Sequence, residues 1–346
     1  MRDVAYTSAK GVGGGERLRR LAAGFLWGFS WAWTGAIGVA AAFLWWSGDR
    51  WWPGTVLLFG PRWTLGLPAL LLLPAALFLS RRSQVPLAVG LALFLVPLMG
   101  FRASLPKRPA ADDLTVLTIN VARAEDLHEP LAEMVARSGA DLVAIQECPH
   151  RVRVPPSLEI EGYHFHSHLS LCFLSRFPFS VGDVAGQAPV ADTATGIAAR
   201  YEVVLSPGDT LSVTNVHLPT PRDGLEDIRM GRIGDGIQAL RRDRLFRIQA
   251  ARDGRRVADG GGVDRIVLGD FNAPPESRIQ REHWRGYTNA FDRAGFGFGF
   301  TRYNGWIRAR IDHVLFTGRL QPVSARVGDD VGSDHRPVMV RFRRMH

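Results

Sequence analysis

The sequence predicts an α/β fold in which two β-sheets pack as a sandwich flanked by helices, preceded by a bundle of about three transmembrane helices. Two observations lead to this fold class. Long uncharged apolar runs stand before residue 102. After residue 112, short β-branched and aromatic runs alternate with polar stretches and a few long helical patterns. The composition therefore changes near residue 110, which divides the chain into an anchor and one further domain.

Three apolar runs predict a membrane anchor over residues 21–101, with spans at 21–46, 63–80 and 83–101. The first run is long enough to cross a bilayer core at about 1.5 Å per residue. A cleaved signal peptide is the alternative for this run, but the run exceeds the roughly 7–15 residues of a signal core. Tryptophans near its end suit a membrane interface.

Arginines near the span ends predict the orientation. The positive-inside rule places them on the cytoplasmic side. They are Arg17, Arg19 and Arg20 before the first span, and Arg81 and Arg82 between the second and third. Residues 1–20 would then form a cytoplasmic tail of a multi-pass inner-membrane (plasma-membrane) protein. The domain at 112–346 would lie outside the cytoplasm, after a linker at 102–111.

The positive charge of the chain belongs to the anchor. Residues 1–110 carry a net charge of +9, whereas residues 111–346 contain thirty acidic and thirty basic side chains. The high pI is therefore no argument for a nucleic-acid partner. Cys148 and Cys172 both lie at the ends of apolar runs. Two buried thiols and a disulfide formed in an oxidising compartment are both open alternatives.

The second part of the chain has the length of one α/β domain. A helix is expected near 126–138, and another from 224 or 234 to 258, where apolar residues form one face and arginines the other. Ten strands are expected near residues 115–121, 142–146, 163–167, 171–175, 197–205, 211–217, 265–269, 312–316, 322–327 and 337–342.

Several apolar runs end in polar or ionisable side chains. In the run at 266–273, the carboxylate of Asp270 and the carboxamide of Asn272 stand on alternate residues and point to the same side of an extended segment. Both can address one phosphate or one attacking water. The other segments are Leu117–Asn120, Ala144–Glu147, Thr214–His217, and Ile311–His313 with Ser333–His335. Strand ends of this kind carry the chemistry in layered α/β folds.

Together and in this order, the segments resemble the endonuclease/exonuclease/phosphatase superfamily, which includes DNase I-like nucleases, abasic-site endonucleases, inositol polyphosphate phosphatases and neutral sphingomyelinases. The resemblance covers nearly all of residues 112–346. It implies a DNase I-like four-layer α-β-β-α sandwich and a metal-dependent hydrolase of phosphoric esters. The substrate stays open between nucleic acid, a phospholipid headgroup and other phosphoesters. A catalytically silent membrane scaffold is the alternative from a different class.

The resemblance implies a metal site at Asn120 and Glu147, supported by Asp334. Glu147 ends an apolar strand, where a carboxylate would be costly unless it were paired or bound to a metal. Hard oxygen donors suit Mg²⁺, which keeps several waters and needs few protein ligands. Mg²⁺ is therefore the expected cofactor, with Mn²⁺ as the alternative.

The resemblance also implies the catalytic roles. His335 would contact the scissile phosphate or act as base, with Asp312 orienting it, because an imidazole needs a partner to fix its tautomer. Asp270 would orient or activate the water, and Asn272 would bind a phosphate oxygen. His217 would protonate the leaving group. The identity of the general base stays open.

Three further residues are expected to bind substrate: Asn215, Arg176 and Arg222. Arg222 belongs to the segment 219–256, which has ten arginines against six acids. This segment is interpreted either as a solvated helix face or as a rim for an anionic substrate. Ala122 and His217 stand where abasic-site endonucleases carry an acidic residue and a tyrosine, which weakens a DNA-repair interpretation.

Overall fold

The structure, a computed structural model, describes residues 14–105, 107–122, 126–148, 160–186 and 196–345. Residues 1–13 of the expected tail and Pro106 of the expected linker lie outside the described residues. The chain divides into two compact units. The first comprises the chain up to Ala42 together with Arg62–Met99, and the second combines Phe43–Pro61 with the chain from Gly100 onward.

Helices precede the first strand. They are α1 (Gly14–Ser47), α2 (Trp52–Phe59), α3 (Leu67–Leu79) and α4 (Gln84–Leu93), the last continued by a π-helical turn, Phe94–Leu98. Two stretches of the described chain are long and apolar enough to cross a membrane, Gly14–Arg50 and Arg62–Leu79. They overlap the first two predicted spans. The third predicted span corresponds to α4 and its π-helical turn, which together are shorter than the 18 residues required of a spanning helix.

Polar side chains inside the first unit are satisfied by backbone carbonyls. Thr34 Oγ1 donates a hydrogen bond to the carbonyl of Pro86 at 2.7 Å, and Trp33 Nε1 donates one to Leu65 at 2.9 Å. These bonds join α1 to the chain around α3 and α4. Such pairing is required wherever polar groups are removed from water.

The second unit contains two six-stranded sheets. Its strands are β1 (Arg102–Ala103), β2 (Leu114–Asn120), β3 (Leu142–Gln146), β4 (His164–His168), β5 (Leu171–Ser175), β6 (Phe179–Gly186), β7 (Gly196–Ser206), β8 (Asp209–His217), β9 (Arg265–Asp270), β10 (Thr288–Asn289), β11 (Phe296–Gly297), β12 (Arg302–Asn304), β13 (Ile307–Ala309), β14 (Asp312–Thr317), β15 (Leu320–Val327) and β16 (Val338–Arg344). One sheet has the order β15-β16-β2-β3-β5-β4, and the other β10-β14-β9-β8-β7-β6. Both are mixed, because β2–β3 and β8–β9 are parallel.

Five helices follow or connect these strands. They are α5 (Leu131–Ser138), α6 (Arg222–Arg229), α7 (Ile233–Asp259), α8 (Arg278–His283) and α9 (Ala290–Ala294). α5, α7 and α8 cover outer sheet faces, α6 packs on α7, and α9 contributes to the central core. The central core, which includes Val116, Phe173 and Tyr201, joins the inner faces of the sheets. A second core packs α5 on the outside of one sheet, and a third packs α7 and α8 on the outside of the other. The predicted fold, two sheets flanked by helices as in DNase I-like proteins, is confirmed.

The segment that follows α1 packs as part of the second unit. Asp49, which lies between α1 and α2, accepts hydrogen bonds from Ser277 Oγ at 2.6 Å and from the backbone N–H of Arg278 at 2.9 Å. Arg278 also donates to the carbonyl of Trp46 at 3.0 Å. The expected anchor, residues 21–101, therefore contributes to both units.

A disulfide joins Cys148 to Cys172, with 5.8 Å between the Cα atoms. Cys148 lies just after β3 and Cys172 lies within β5, so the bond links two neighbouring strands of one sheet. The structure thus decides between the two alternatives that the sequence left open for these cysteines.

Candidate active site

The two parallel strand pairs bring their polar ends to the same place. In one sheet Asn120 at the end of β2 is aligned with Gln146 at the end of β3, and Glu147 follows directly. In the other sheet His217 at the end of β8 is aligned with Asp270 at the end of β9. Since parallel strands end at the same edge of a sheet, these side chains meet where the two sheets face each other.

Asn120 connects the two sheets at the candidate site. Its Nδ2 donates to Glu147 Oε1 at 3.0 Å in its own sheet and to Asp270 Oδ2 at 3.0 Å in the other. Its Oδ1 accepts the backbone N–H of Ala122 at 2.9 Å. The side chain is almost completely buried. One carboxamide thus fixes the separation of two carboxylates.

The turn after β9 is built around Asp270. The backbone N–H of Asn272 donates to Asp270 Oδ1 at 2.8 Å, and Asn272 Nδ2 donates to Asp270 Oδ2 at 3.0 Å and to the carbonyl of Leu218 at 2.8 Å. Both N–H bonds of this amide are therefore used inside the protein. Asn272 supports the carboxylate, which differs from the phosphate contact expected from the sequence.

Backbone geometry explains two residues of this turn. Gly269 has φ +142°, and a Cβ there would lie 2.0 Å from the carbonyl oxygen of Val216 on the parallel neighbour β8. Only glycine fits such an approach. Asn272 has φ +44°, in the left-handed region that asparagine tolerates better than most residues. Glu147 and Ala122, also at the site, have φ +54° and +50°. Such strain concentrates at functional sites.

His335 and Asp312 form a buried pair, as the sequence predicts. His335 Nδ1 lies 2.9 Å from Asp312 Oδ2, and Nε2 lies 3.8 Å from Asp270 Oδ2. Burial alone would lower the pKa of His335, but the carboxylates of Asp312 and Asp270 outweigh it and raise the pKa to about 9. Arg302 Nη1 lies 2.9 Å from Nε2 and acts in the opposite direction. The two carboxylates therefore favour the protonated imidazole, whereas the guanidinium of Arg302 can only donate, so its contact with Nε2 competes with that protonation.

Asp270 lies close to another carboxylate and to two imidazoles. Burial, followed by the proximity of Asp312, raises its pKa, while His335 and His217 act to lower it. His217 Nε2 lies 3.8 Å from Asp270 Oδ2 and 3.7 Å from Glu147 Oε1. A carboxylate that is buried and has a raised pKa is suited to accepting a proton from water.

A cavity of about 340 Å³ adjoins this cluster and is lined by three carboxylates, those of Glu147, Asp126 and Asp334, together with Arg222. Within the described chain, Asp334 Oδ1 is buried without a hydrogen-bond partner, whereas Oδ2 accepts from Arg302 at 2.6 Å. A buried, unsatisfied carboxylate oxygen beside another carboxylate is the donor set that a hard cation takes. These residues therefore fit a divalent metal ion.

Two residues expected to bind substrate lie elsewhere. Asn215 is fully buried between the sheets, where its Oδ1 accepts from Gln146 Nε2 at 2.7 Å and its Nδ2 donates to two backbone carbonyls. It bridges the sheets below the site and faces no opening. Arg176 lies at the far end of β5, where its Nε donates to Tyr163 Oη at 3.1 Å. Because β5 runs antiparallel to β3, this end is opposite to the end that carries Glu147.

Three residues of the site environment have no motif that would mark them in the sequence. Arg302 and Asp126 line the carboxylate cluster and its cavity. Arg247 is buried in α7, and its Nη2 donates to the carbonyl of Asn272 at 3.0 Å. Only the arginine content of the segment 219–256 pointed toward this region, and it singled out no position.

The model of the Endonuclease/Exonuclease/phosphatase family matches residues 117–335. The chain belongs to this family. The match begins in β2, before Asn120, and ends at His335, so it includes all the strand ends that meet at the candidate site. Members of the family use divalent metal ions. Among the described residues, Asp270, Asp312 and His335 form a buried group whose ligand atoms lie within 4.8 Å of one another, and this group is a possible metal site.

Solved structures of family members are similar to this chain. The human Nocturnin catalytic domain with a bound sulfate anion has 18% identity and a TM-score of 0.49, over 70% of this chain and 98% of that chain. A humanized D. rerio TDP2 has 13% identity and a TM-score of 0.48, over 67% and 99%. The 3'-5' exonuclease NExo of Neisseria meningitidis has 17% identity and a TM-score of 0.47, over 66% and 99%. No curated protein matches the sequence significantly.

Proposed function

We propose that the protein is a metal-dependent hydrolase of phosphoric esters, in which water attacks phosphorus with Mg²⁺, or Mn²⁺, as the cation. One observation carries the proposal. The two sheets bring four carboxylates and two imidazoles together around the carboxamide of Asn120. Hydrolysis of a phosphoric ester needs charge neutralisation, an oriented water and help for the leaving oxygen, and this set contains groups for each task.

Glu147 and Asp334 are the proposed metal ligands, with Asn120 beside them. When bound, the cation would neutralise charge on the phosphoryl oxygens. In the present arrangement Nδ2 of Asn120 faces Glu147, and Oδ1 faces Ala122. A flip of this carboxamide would give up the bonds to Glu147 and Asp270 and would set Nδ2 against the N–H of Ala122. Asn120 is therefore proposed to position the two carboxylates beside the cation. Arg222, which lines the same cavity, is placed to contact a phosphate oxygen.

Asp270 and His335 are the proposed catalytic pair. Asp270 accepts hydrogen bonds from Asn120 and Asn272, and its raised pKa suits the removal of a proton from the attacking water. His335 is held by Asp312, and its imidazole, together with the guanidinium of Arg302 beside Nε2, is proposed to face the phosphate. His217, which lies between Glu147 and Asp270, is proposed to protonate the leaving oxygen.

The second unit is proposed to lie on the extracytoplasmic side of the inner membrane. The disulfide Cys148–Cys172 supports this location, because such bonds persist in oxidising compartments. The arginines at the N-terminal end of α1, Arg17, Arg19 and Arg20, support it independently through the positive-inside rule. A reporter fused after His346 tests the location. Reporter activity in the cytoplasm would contradict it.

The activity is tested on the full chain in detergent with bis(p-nitrophenyl) phosphate and Mg²⁺. We expect hydrolysis that EDTA abolishes and that Asp270→Asn lowers by at least about 10²-fold. Asp253→Asn, on the exposed side of α7, is the matched control and is expected to keep full activity. A folded protein without any hydrolysis would favour the alternative of a silent scaffold. Nicking of supercoiled plasmid in parallel measures nuclease activity.

The metal is tested separately by Mn²⁺ binding, followed by electron paramagnetic resonance. Glu147→Gln removes a charged ligand from the cavity and is expected to weaken binding at least tenfold. Glu133→Gln, an exposed change on α5, is expected to leave it unchanged. Equal binding by wild type and Glu147→Gln would remove Glu147 from the metal site.

A further inference from the structure

A second cavity, of about 560 Å³, opens beside the carboxylate cluster. It shares Asn272 and Asp334 with the candidate active site, so a molecule bound there can place a phosphate at the reacting groups. The rest of its wall differs in character from the metal cavity. Apolar side chains, arginines and a few other polar side chains, Glu226 among them, line it together. The argument uses Phe59, Leu225, Trp306 and Ile307, with Arg222 and Arg302. A cavity with an apolar wall and a few cations fits an anion that carries an apolar group.

Phe59 gives this cavity a wall from outside the matched family region. It ends α2, which follows the long apolar helix α1. The preceding segment is fastened to the second unit, because Asp49 accepts from Ser277 and the backbone of Arg278. The guanidinium of Arg247 lies 5.8 Å from the centre of the Phe59 ring. The ring is therefore held in place by buried interactions.

Exposed apolar side chains occur in the lining of the cavity and elsewhere in the second unit. Trp306, at the tip of the β12–β13 hairpin, is 77% exposed. Met230 and Ile233, which join the lining helix α6 to α7, are also exposed. Trp45 and Trp46 are exposed at the end of α1. Tryptophans in such a position suit the interface of a bilayer, where the ring is buried and its N–H stays hydrated.

These features favour a lipid over a polynucleotide. The domain after residue 110 has no net positive charge that would attract a polyanion. One wall of the cavity comes from the chain that directly follows a helix long and apolar enough to cross a membrane. A phospholipid in that membrane could present its phosphate to the site while its apolar part stays among apolar side chains.

We propose that this cavity binds the apolar portion of a membrane phospholipid, with Phe59 and Trp306 as its specificity-determining residues. The inference rests on the proposed function and names the substrate class. In the reaction, the oxygen of water bonds to phosphorus, one P–O ester bond breaks, and the released alcohol oxygen takes a proton. Arg222 and Arg302 balance the charge of the phosphate that remains.

The test compares two substrates on the full chain with Mg²⁺: phosphatidylglycerol in mixed micelles and water-soluble bis(p-nitrophenyl) phosphate. Trp306→Ala and Phe59→Ala are each expected to lower kcat/KM for the lipid at least tenfold, mainly through KM, and to change the soluble ester less than twofold. Val263→Ala, at a position that is equally exposed, is the control and is expected to change neither. Equal losses on both substrates would overturn the proposal.

A single-stranded oligonucleotide is the third substrate. If Trp306→Ala impairs its hydrolysis and leaves hydrolysis of the lipid unaffected, the cavity stacks bases and the lipid assignment is wrong.

A binding measurement that requires no hydrolysis separates this inference from the proposed function. Dihexanoylphosphatidylcholine, below its micellar concentration, is titrated calorimetrically into Asp270→Asn protein. Binding that Trp306→Ala weakens tenfold supports the cavity even if no ester is hydrolysed, and absence of binding in all variants overturns it.

Discussion

Asp49 Oδ2 lies 3.4 Å from Nη1 of Arg247, and both side chains are almost completely buried. Arg247 in turn donates to the carbonyl of Asn272, in the turn that holds Asp270. Burial lowers the pKa of Arg247, and the carboxylate of Asp49 counteracts this. The segment after α1 thus braces the backbone of the candidate active site.

The first prediction concerns this ion pair. Asp49→Ala leaves a buried guanidinium without its carboxylate, which we expect to lower the free energy of unfolding by about 3–5 kcal/mol. Thermal unfolding of the full chain in detergent measures the change. Asp253→Asn removes an exposed partner of Arg256 and should cost less than about 1 kcal/mol. A fragment of residues 111–346 lacks Asp49 and should be destabilised like Asp49→Ala. Equal stability of both variants would show that the pair contributes nothing.

The second prediction concerns the charge of His335. Its pKa of about 9 makes the imidazole a cation up to that pH, so kcat/KM is expected to fall above pH 9. Asp312→Asn removes a carboxylate that raises this pKa, and the alkaline limb should therefore move to lower pH. A pH–rate profile of wild type and variant with bis(p-nitrophenyl) phosphate measures the limb. An unchanged limb in Asp312→Asn would assign it to another group.

The third prediction concerns His313, which is buried next to the proposed pair. Burial, aided by Arg310, lowers its pKa to about 4. The ring lies 2.9 Å from the carbonyl of Ala273 and 3.1 Å from Nδ2 of Asn289, which fits a neutral imidazole. Between pH 6.5 and 4 the unfolded chain binds a proton that the folded chain does not. Stability is therefore complete above about pH 6.5 and falls by about 3 kcal/mol as the pH drops to 4.

His313→Gln is expected to remove this part of the acid sensitivity while retaining one donor and one acceptor. Urea unfolding at a series of pH values gives the slope of the free energy of unfolding against pH, which is compared between wild type and variant. His128→Gln, in a loop near the surface, is a matched control that should keep the wild-type slope. A His313→Gln protein with the wild-type slope would show that other groups cause the loss at low pH.

The fourth prediction concerns the disulfide. Reduction of Cys148–Cys172, which closes a loop with a sequence separation of 24, should lower the free energy of unfolding by about 3 kcal/mol. Thermal unfolding with and without a reducing agent measures it. The double variant Cys148→Ser, Cys172→Ser should begin at the lower stability and not respond to the reductant. A response of the variant would indicate an effect unrelated to the bond.

The strands and the convergence of their ends could be predicted from the sequence, because apolar periodicity and abrupt polar ends are local signals. The ten expected strands all exist, with ends shifted by up to two residues. The edge strand β6 is not predicted, because Gly182 and Asp183 interrupt its apolar pattern and most of it is solvated. The other strands that the sequence does not predict, β1, β10, β11, β12 and β13, have only two or three residues each, too few for a periodic pattern. The pair Asp312–His335 was predictable since both residues follow family motifs.

The remaining parts of the site depend on distant pairing, which no local pattern encodes. Asp49 stands between apolar stretches, and nothing near it indicates that Arg247 is its partner. Asn215 and His217 share one face of β8, but Asn215 lies one step further from the sheet edge, where Gln146 and backbone carbonyls fill its surroundings. Arg176 was misplaced because the direction of β5 relative to β3 is a property of the sheet.

The bond from Asn120 to Asp270 couples activity to the completion of folding. Neither sheet alone contains both the proposed metal ligands and the proposed base, so a chain with one folded sheet has no hydrolytic site. A protein exported before it folds would thus stay inactive during synthesis and translocation, and would gain its activity only where the sandwich closes. Phosphoesters inside the producing cell would be protected by the order of assembly, without any inhibitor.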